Sequence, residues 1–206
     1  MPIHAVLTGD IVNSTKLERA IEKKLFKALQ HILKPYPFEF YRGDSFQAYL
    51  KDPLISLRTA LLCRTLAISM TREQTAPSDV RVSLGIGKVL ASVRTLHAAK
   101  GEAFILSGRA FDEIQLTGTR LSIVTADPLA NTGLQVMADY INSMYEKMTA
   151  KQAEVILELL QGKTQEKVGV GLKKSTSTIN QLAAAGRWPE IKKTLQQFEN
   201  LINQLI

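Results

Sequence analysis

Residues 148–185 read MTAKQAEVILELLQGKTQEKVGVGLKKSTSTINQLAAA, and their spacing predicts three consecutive helices. Thr149 stands where an N-cap hydroxyl is wanted, and Ala153, Val155, Ile156, Leu159 and Leu160 recur at helical spacing behind it. Gly162 tolerates the left-handed conformation that stops a helix. Thr164 caps a second, short helix ending at Leu172. Gly169 in its middle costs about 1 kcal/mol relative to alanine, so a close helix neighbour is expected there. Ser175 caps a third helix with Ile179, Leu182 and Ala183 inward and Thr176, Ser177, Asn180 and Gln181 outward. Two short helices in this relation form a helix-turn-helix pattern, in which the second helix enters the DNA major groove.

Within that stretch, TQEKVGVGLKKSTSTINQL resembles the TQEEIAEELGISQSTVSRHL pattern of DNA-binding domains of the sigma-factor and response-regulator type. The resemblance covers about a quarter of the chain. It departs at the turn, where the usual glycine is Lys173 and the following apolar residue is Lys174. Both lysines are expected to face outward, where phosphates lie. A helical hairpin that only packs on the preceding domain is the alternative, because such shapes also serve protein contacts.

The chain has 206 residues, 45% hydrophobic and 22% charged, ordinary for a globular protein of one large domain or two small ones. Its net charge of +7 permits a nucleic-acid partner. The excess is spread: 8 Lys+Arg against 5 Asp+Glu from Thr149 onward, 18 against 14 before it. One cysteine, Cys63, precludes an internal disulfide and suits a reducing compartment. MPIHAVLTGD lacks a basic n-region, and no apolar run approaches the roughly 20 residues that span a bilayer. A cytoplasmic protein with no membrane partner is expected.

From the N-terminus, His4–Leu7 reads as a buried strand opening into Thr8-Gly9-Asp10, and Lys16–Leu33 as an amphipathic helix. Phe38–Arg42 and Ser45–Leu50 read as a hairpin turning at Gly43-Asp44. A helix over Leu54–Met70, a polar loop near Thr75–Asp79 and a strand over Val80–Val89 follow. Ser92–Gly101 reads as a loop or short helix, Gly108–Leu116 as a helix, Leu121–Thr125 as a strand and Asn131–Tyr145 as a helix. The order β-α-β-β-α-β-α-β predicts an α+β fold with a ferredoxin-like palm, followed by the all-α helix-turn-helix part. The expected boundaries are 1–130 for the palm, 131–148 for a connecting helix and 149–206 for the tail. The last tail helix, Pro189–Ile206, carries Ile191, Leu195, Phe198, Leu201, Ile202 and Leu205 on one stripe, which can pack back or pair two copies.

Asp10 at the end of the first strand and Asp44 in the hairpin turn are candidate ligands for Mg²⁺ or Mn²⁺, hard cations that take oxygen donors. Ser14 and Thr15 are candidate phosphate binders, on the expectation that they open the following helix. His4, His31 and His97 lack zinc-ligand spacing. Trp188 reads as a packing anchor.

At these residues the first domain resembles the class III nucleotide cyclase catalytic domain. TGDIVNST looks like its F-x-DI-x-x-S/T motif, FEFYRGDSFQAYL like its K-x-x-GD hairpin, VRVSLGIGKV like its R-x-G-I-x-x-G-x-V strand, and GEAFILSGRAFDEI like the segment with its Asn and Arg. Together with the tail, the chain is similar to the SatD family of small bacterial proteins. The resemblance implies metal ligands at Asp10 and Asp44 but puts Phe40, Asp112 and Leu116 where the purine-selecting Lys, the ribose-orienting Asn and the transition-state Arg are needed. Losing that arginine removes a term often worth about 10²-fold or more in rate. No catalytic residue is therefore assigned. The expectation is a homodimeric regulator that binds duplex DNA through Lys173, Lys174, Thr176, Ser177, Asn180 and Gln181, with a degenerate cyclase-like domain that senses a nucleotide or metal. An active cyclase or other phosphoryl-transfer enzyme and a protein-interaction module are the alternatives.

Overall fold

The computed structural model describes residues 2–41, 43–71, 78–89, 93, 95–96 and 99–206. The elements are β1 (Ile3–Val12), α1 (Arg19–Leu33), β2 (Phe38–Tyr41), β3 (Ser45–Leu50), α2 (Ser56–Ser69), β4 (Asp79–Lys88), α3 (Glu102–Thr117), β5 (Leu121–Thr125), α4 (Pro128–Glu146), α5 (Ala150–Leu160), α6 (Gln165–Leu172), α7 (Thr176–Ala185) and α8 (Trp188–Asn203). The fold is α+β. One five-stranded sheet has the order β2-β3-β1-β4-β5. β1 runs antiparallel to β3 and β4, β2 antiparallel to β3, and β4 parallel to β5.

β1 is central, and both its faces are covered. Ala5, Leu7 and Ile11 face one way and join Val80, Val82, Leu84 and Ile86 of β4 in the main core, together with α1 and α2. Val6, Thr8 and Asp10 face the other way, towards α3. Gly85 is what lets α3 lie so close. A Cβ there would come 2.3 Å from the Ala103 carbonyl oxygen and 2.4 Å from the Ser107 nitrogen, both backbone atoms that cannot swing aside.

Several helices differ from the sequence expectation at their ends. The first does not begin at Lys16: Ser14–Lys16 is a short 3-10 turn entered through Asn13 at φ 57°, and α1 starts at Arg19. α3 begins at Glu102, earlier than Gly108, and α4 begins at Pro128, where Asp127 caps the Leu129 and Ala130 amides. The expected loop at Thr75–Asp79 and the segment Ser92–Gly101 lie partly outside the described residues, His97 among those outside, although Asp79 already belongs to β4.

The tail is built as its local signals predict and is also sealed onto the sheet domain. Thr149 and Gln152 form a reciprocal capping box, Gly162 stops α5 at φ 85°, and Thr164 and Ser175 cap α6 and α7. α5 packs along α2, α7 against α5 and α6, and α8 against α4 and α7. Buried residues from Ala5 to Ile202 form one contiguous core. The α8 stripe lies inside it: Ile191, Phe198 and Ile202 are 0% exposed and Leu195 2%. Of the two alternatives for this stripe, packing back is the one seen, and side chains already buried within the chain cannot pair two copies. Trp188 packs half-buried against the same core. Among the described residues, no helix is long and apolar enough to cross a membrane.

Candidate functional site

The register of the sheet brings the two candidate carboxylates to one edge. Asp10 pairs with Ser45 across β1 and β3, and the Ile11 amide donates to the Asp44 carbonyl at 3.2 Å. Gly43, at φ 87°, supplies the left-handed step that swings the chain from β2 into this corner. Asp10 is half-buried. Its carboxyl is held above the ordinary value, first by burial and also by the nearby Asp44 charge, while Arg81, Gln115 and Arg120 pull it down. The Asp44 charge thus reaches Asp10.

Each acid has a neighbour that the sequence did not announce. Arg81 of β4, opposite Asp10 in register, donates from Nη1 to Asp10 Oδ2 at 3.3 Å. Ser14 Oγ donates to Asp44 Oδ2 at 2.5 Å. Ser14 thus opens the 3-10 turn and is a partner of Asp44. Thr15 is exposed, and the helix amides thought to meet phosphate begin farther on, because the 3-10 turn intervenes. Among the described residues, Asp10 Oδ1 and Arg81 Nε are buried without hydrogen-bond partners. An orphaned carboxylate oxygen beside a second carboxylate fits a hard cation that keeps most of its ligands as water or phosphate oxygens. Among the described residues there is no group of three acid, histidine or cysteine ligands, so the corner does not fit a closed structural metal site.

Phe40, where the resemblance needs a lysine, is packed among Phe26, Phe38 and Phe46 with ring centroids 4.2, 6.0 and 5.6 Å away. Asp112 is exposed, and Leu116 is 90% exposed. Neither position offers a cation to a substrate. His4 is structural, its Nδ1 2.7 Å from the Lys51 carbonyl. Burial pushes the Cys63 thiol up to about 12, which leaves it inert as a nucleophile.

In the tail, Lys173 occupies the turn at φ 54°, the left-handed position expected of a glycine, and is exposed. A Cβ on the buried Gly169 would sit 3.1 Å from the Lys174 carbonyl and 3.6 Å from Ile179 Cγ1, so the short α6 needs its glycine against the turn and α7. Ile179 and Ala183 point inward at 0% and 1% exposure. Thr176, Ser177, Asn180 and Gln181 are all exposed on the outer face. Lys174 departs from expectation: it is half-buried, with Nζ 3.9 Å from Glu154 Oε2.

One cluster escaped sequence reading. Arg64, 1% exposed, donates from Nε and Nη2 to Asp79 at 3.2 and 2.8 Å and from Nη1 to Asn142 Oδ1 at 2.9 Å, and lies 4.8 Å over the Tyr145 ring. The available signal was a charge on the stripe Leu57, Leu61, Arg64, Ile68, which is otherwise apolar.

No protein-family model and no curated protein matches this chain. Among the solved structures that resemble it are two titled as a bacterial light-regulated adenylyl cyclase. The first has 16% identity and a TM-score of 0.41, over 59% of this chain and 75% of that one. The second has 15% identity and a TM-score of 0.40, over 60% of this chain and 43% of that one. These are likenesses of fold, and at such scores they carry no chemistry to this chain.

Proposed function

We propose that the chain is a DNA-binding regulator, with a ferredoxin-like sheet domain and a helix-turn-helix tail. The observation that carries the proposal is α7: an inward apolar seam of Ile179 and Ala183, and an outward face of amides and hydroxyls left wholly uncovered behind a left-handed turn. The strand order β2-β3-β1-β4, reached through β1-α1-β2-β3-α2-β4, supports the ferredoxin-like part. Asn180 and Gln181 can pair with adenine edges in the major groove, and Lys173 can meet phosphate. Two copies on a two-fold site belong to this reading, joined through a surface other than the α8 stripe.

The test uses the full chain, because α5 is shared between the tail and α2. Titrated with duplex DNA at several salt concentrations, Asn180→Ala should lose about 1–3 kcal/mol of discrimination between base sequences at nearly unchanged salt slope. Lys173→Ala should weaken binding to all sequences and reduce that slope by about one. No binding even at low salt would leave the tail as an interaction element.

A second reading concerns the carboxylate corner, supported by the orphaned Asp10 Oδ1 beside Asp44. Here Asp10 and Asp44 hold Mg²⁺ or Mn²⁺, which would supply positive charge for the phosphates of a nucleotide. The role is binding, not turnover, since no cation stands at Phe40 or Leu116. Calorimetry with Mn²⁺ alone should show saturable binding that Asp44→Asn weakens about tenfold or more, losing one charged oxygen ligand among few. Binding should also weaken as pH falls, because a carboxyl held above its ordinary value takes up its proton earlier. Cyclic nucleotide formation abolished by Asp44→Ala would favour an active enzyme instead.

A further inference from the structure

The carboxylate corner carries a cation of its own. Arg81 donates from Nη1 to Asp10 Oδ2 at 3.3 Å, and each side chain is 16% exposed. That is longer than the roughly 2.7–2.9 Å of a well-made guanidinium–carboxylate bond. It is also half of a fork. Among the described residues, Asp10 Oδ1 and Arg81 Nε are left over at this one contact, both buried and both without a hydrogen-bond partner. Such leftover groups make a contact weaker than its charges suggest.

The same fold shows a pair that is closed. Arg64 holds Asp79 through two bonds, at 3.2 and 2.8 Å, and gives a third to Asn142 at 2.9 Å. Arg81 has no such lock: among the described residues its one side-chain hydrogen bond is to Asp10. Like charge crowds it as well. Arg64 and Arg81 both act on Arg120, and Arg81 and Arg120 both act on Asp10. A divalent ion would add two more positive charges to this group, so one guanidinium has to give way. Arg64 is held by three bonds, whereas Arg81 is held by one long bond to a candidate ligand of the ion. Asp10 Oδ1 is itself buried, so an ion reaches it only when a neighbouring group moves.

We propose that Arg81 is the resident counter-charge of the corner, neutralising Asp10 in the ion-free chain and releasing Oδ2 when a divalent cation enters. The exchange satisfies both leftover atoms, Oδ1 through the ion and Nε through water. Arg81 thereby sets how tightly the corner takes a cation. The proposal rests on the reading of Asp10 and Asp44 as metal ligands, and it stands whether or not the tail binds DNA.

Calorimetry of the full chain with Mn²⁺ alone tests it. Arg81→Gln should bind Mn²⁺ about tenfold more tightly than the unaltered chain, the effect of removing one competing charge at close contact. Arg81→Lys keeps a competing charge and should stay close to the unaltered chain. Arg120→Gln removes a charge that acts on Asp10 without being bonded to it, and should tighten binding by less than Arg81→Gln. The unaltered chain gives a reading that needs no substitution: in a Mg²⁺ titration followed by NMR, the Arg81 Nε–H resonance should shift and saturate at the Kd that calorimetry with Mg²⁺ gives. Mn²⁺ affinity unchanged or weakened in Arg81→Gln overturns the proposal and leaves Asp10 and Asp44 as ligands. An Arg81 resonance that stays in place while Mg²⁺ binds does the same. No Mn²⁺ binding in either the unaltered chain or Arg81→Gln sinks the metal reading and this proposal together.

Discussion

Arg64→Ala should destabilise the folded chain by about 3–5 kcal/mol, the usual cost of removing one member of a buried, fully bonded ion pair. The guanidinium fastens three elements at once: it sits on α2, grips Asp79 at the start of β4 through two bonds, and holds Asn142 of α4. Asn142 in turn donates from Nδ2 to the Leu121 carbonyl at 3.1 Å, so β5 is reached as well. Without the arginine, Asp79 keeps the 2.7 Å bond from the Val80 amide but loses its counter-charge. Tyr145 loses the cation over its ring; burial already holds its phenol well above the ordinary value, so it stays neutral and cannot compensate. In urea the midpoint should move at little-changed slope. In a double-mutant cycle with Asp79→Asn, the double variant should lose less than the two single losses added together, because the orphaned charge is then gone. A single-variant loss below about 1 kcal/mol would mean that the pair is not closed as drawn.

Phe198→Ala should cost about as much, about 3–5 kcal/mol, for a different reason. The ring is 0% exposed in the middle of α8, between Leu195 and Ile202, and its loss removes a large apolar contact and leaves a cavity that flanking helices fill only in part. Because the α8 stripe is satisfied within one chain, the loss should not depend on protein concentration, whereas a stripe that paired two copies would make the melting temperature rise with concentration. A concentration-dependent loss would restore α8 as a dimer surface. On the proposed DNA-binding role, binding should fall in parallel with the folded fraction, because α7 is seated between α5, α6 and α8.

The tail was legible in the sequence because its rules are local. A hydroxyl at Thr149, Thr164 or Ser175 finds the amide three residues ahead, whatever the rest of the chain does. Gly162 and the apolar spacing act within one or two turns. The alternation of strands and helices in the sheet domain was legible for a similar reason: the apolar spacing of each segment and the hairpin at Gly43 act within a few residues. Asp10 and Asp44 could be named as a pair because the sequence put one at the end of an apolar run and the other in a hairpin turn, although β1 runs past Asp10 to Val12. What the sequence did not contain was each acid's partner. Arg81 reaches Asp10 across a separation of 71 residues and Ser14 reaches Asp44 across 30, and only strand register makes them neighbours. The fate of α8 was open for the same reason, since a stripe at helical spacing states that a face must be buried but not against what. Arg64 shows the limit most plainly. On one helix it is a charge among leucines, and its bond to Asn142 spans 78 residues. Its meaning comes from β4 and α4 closing around it, because a buried charge is stable only once tertiary structure has delivered its partners.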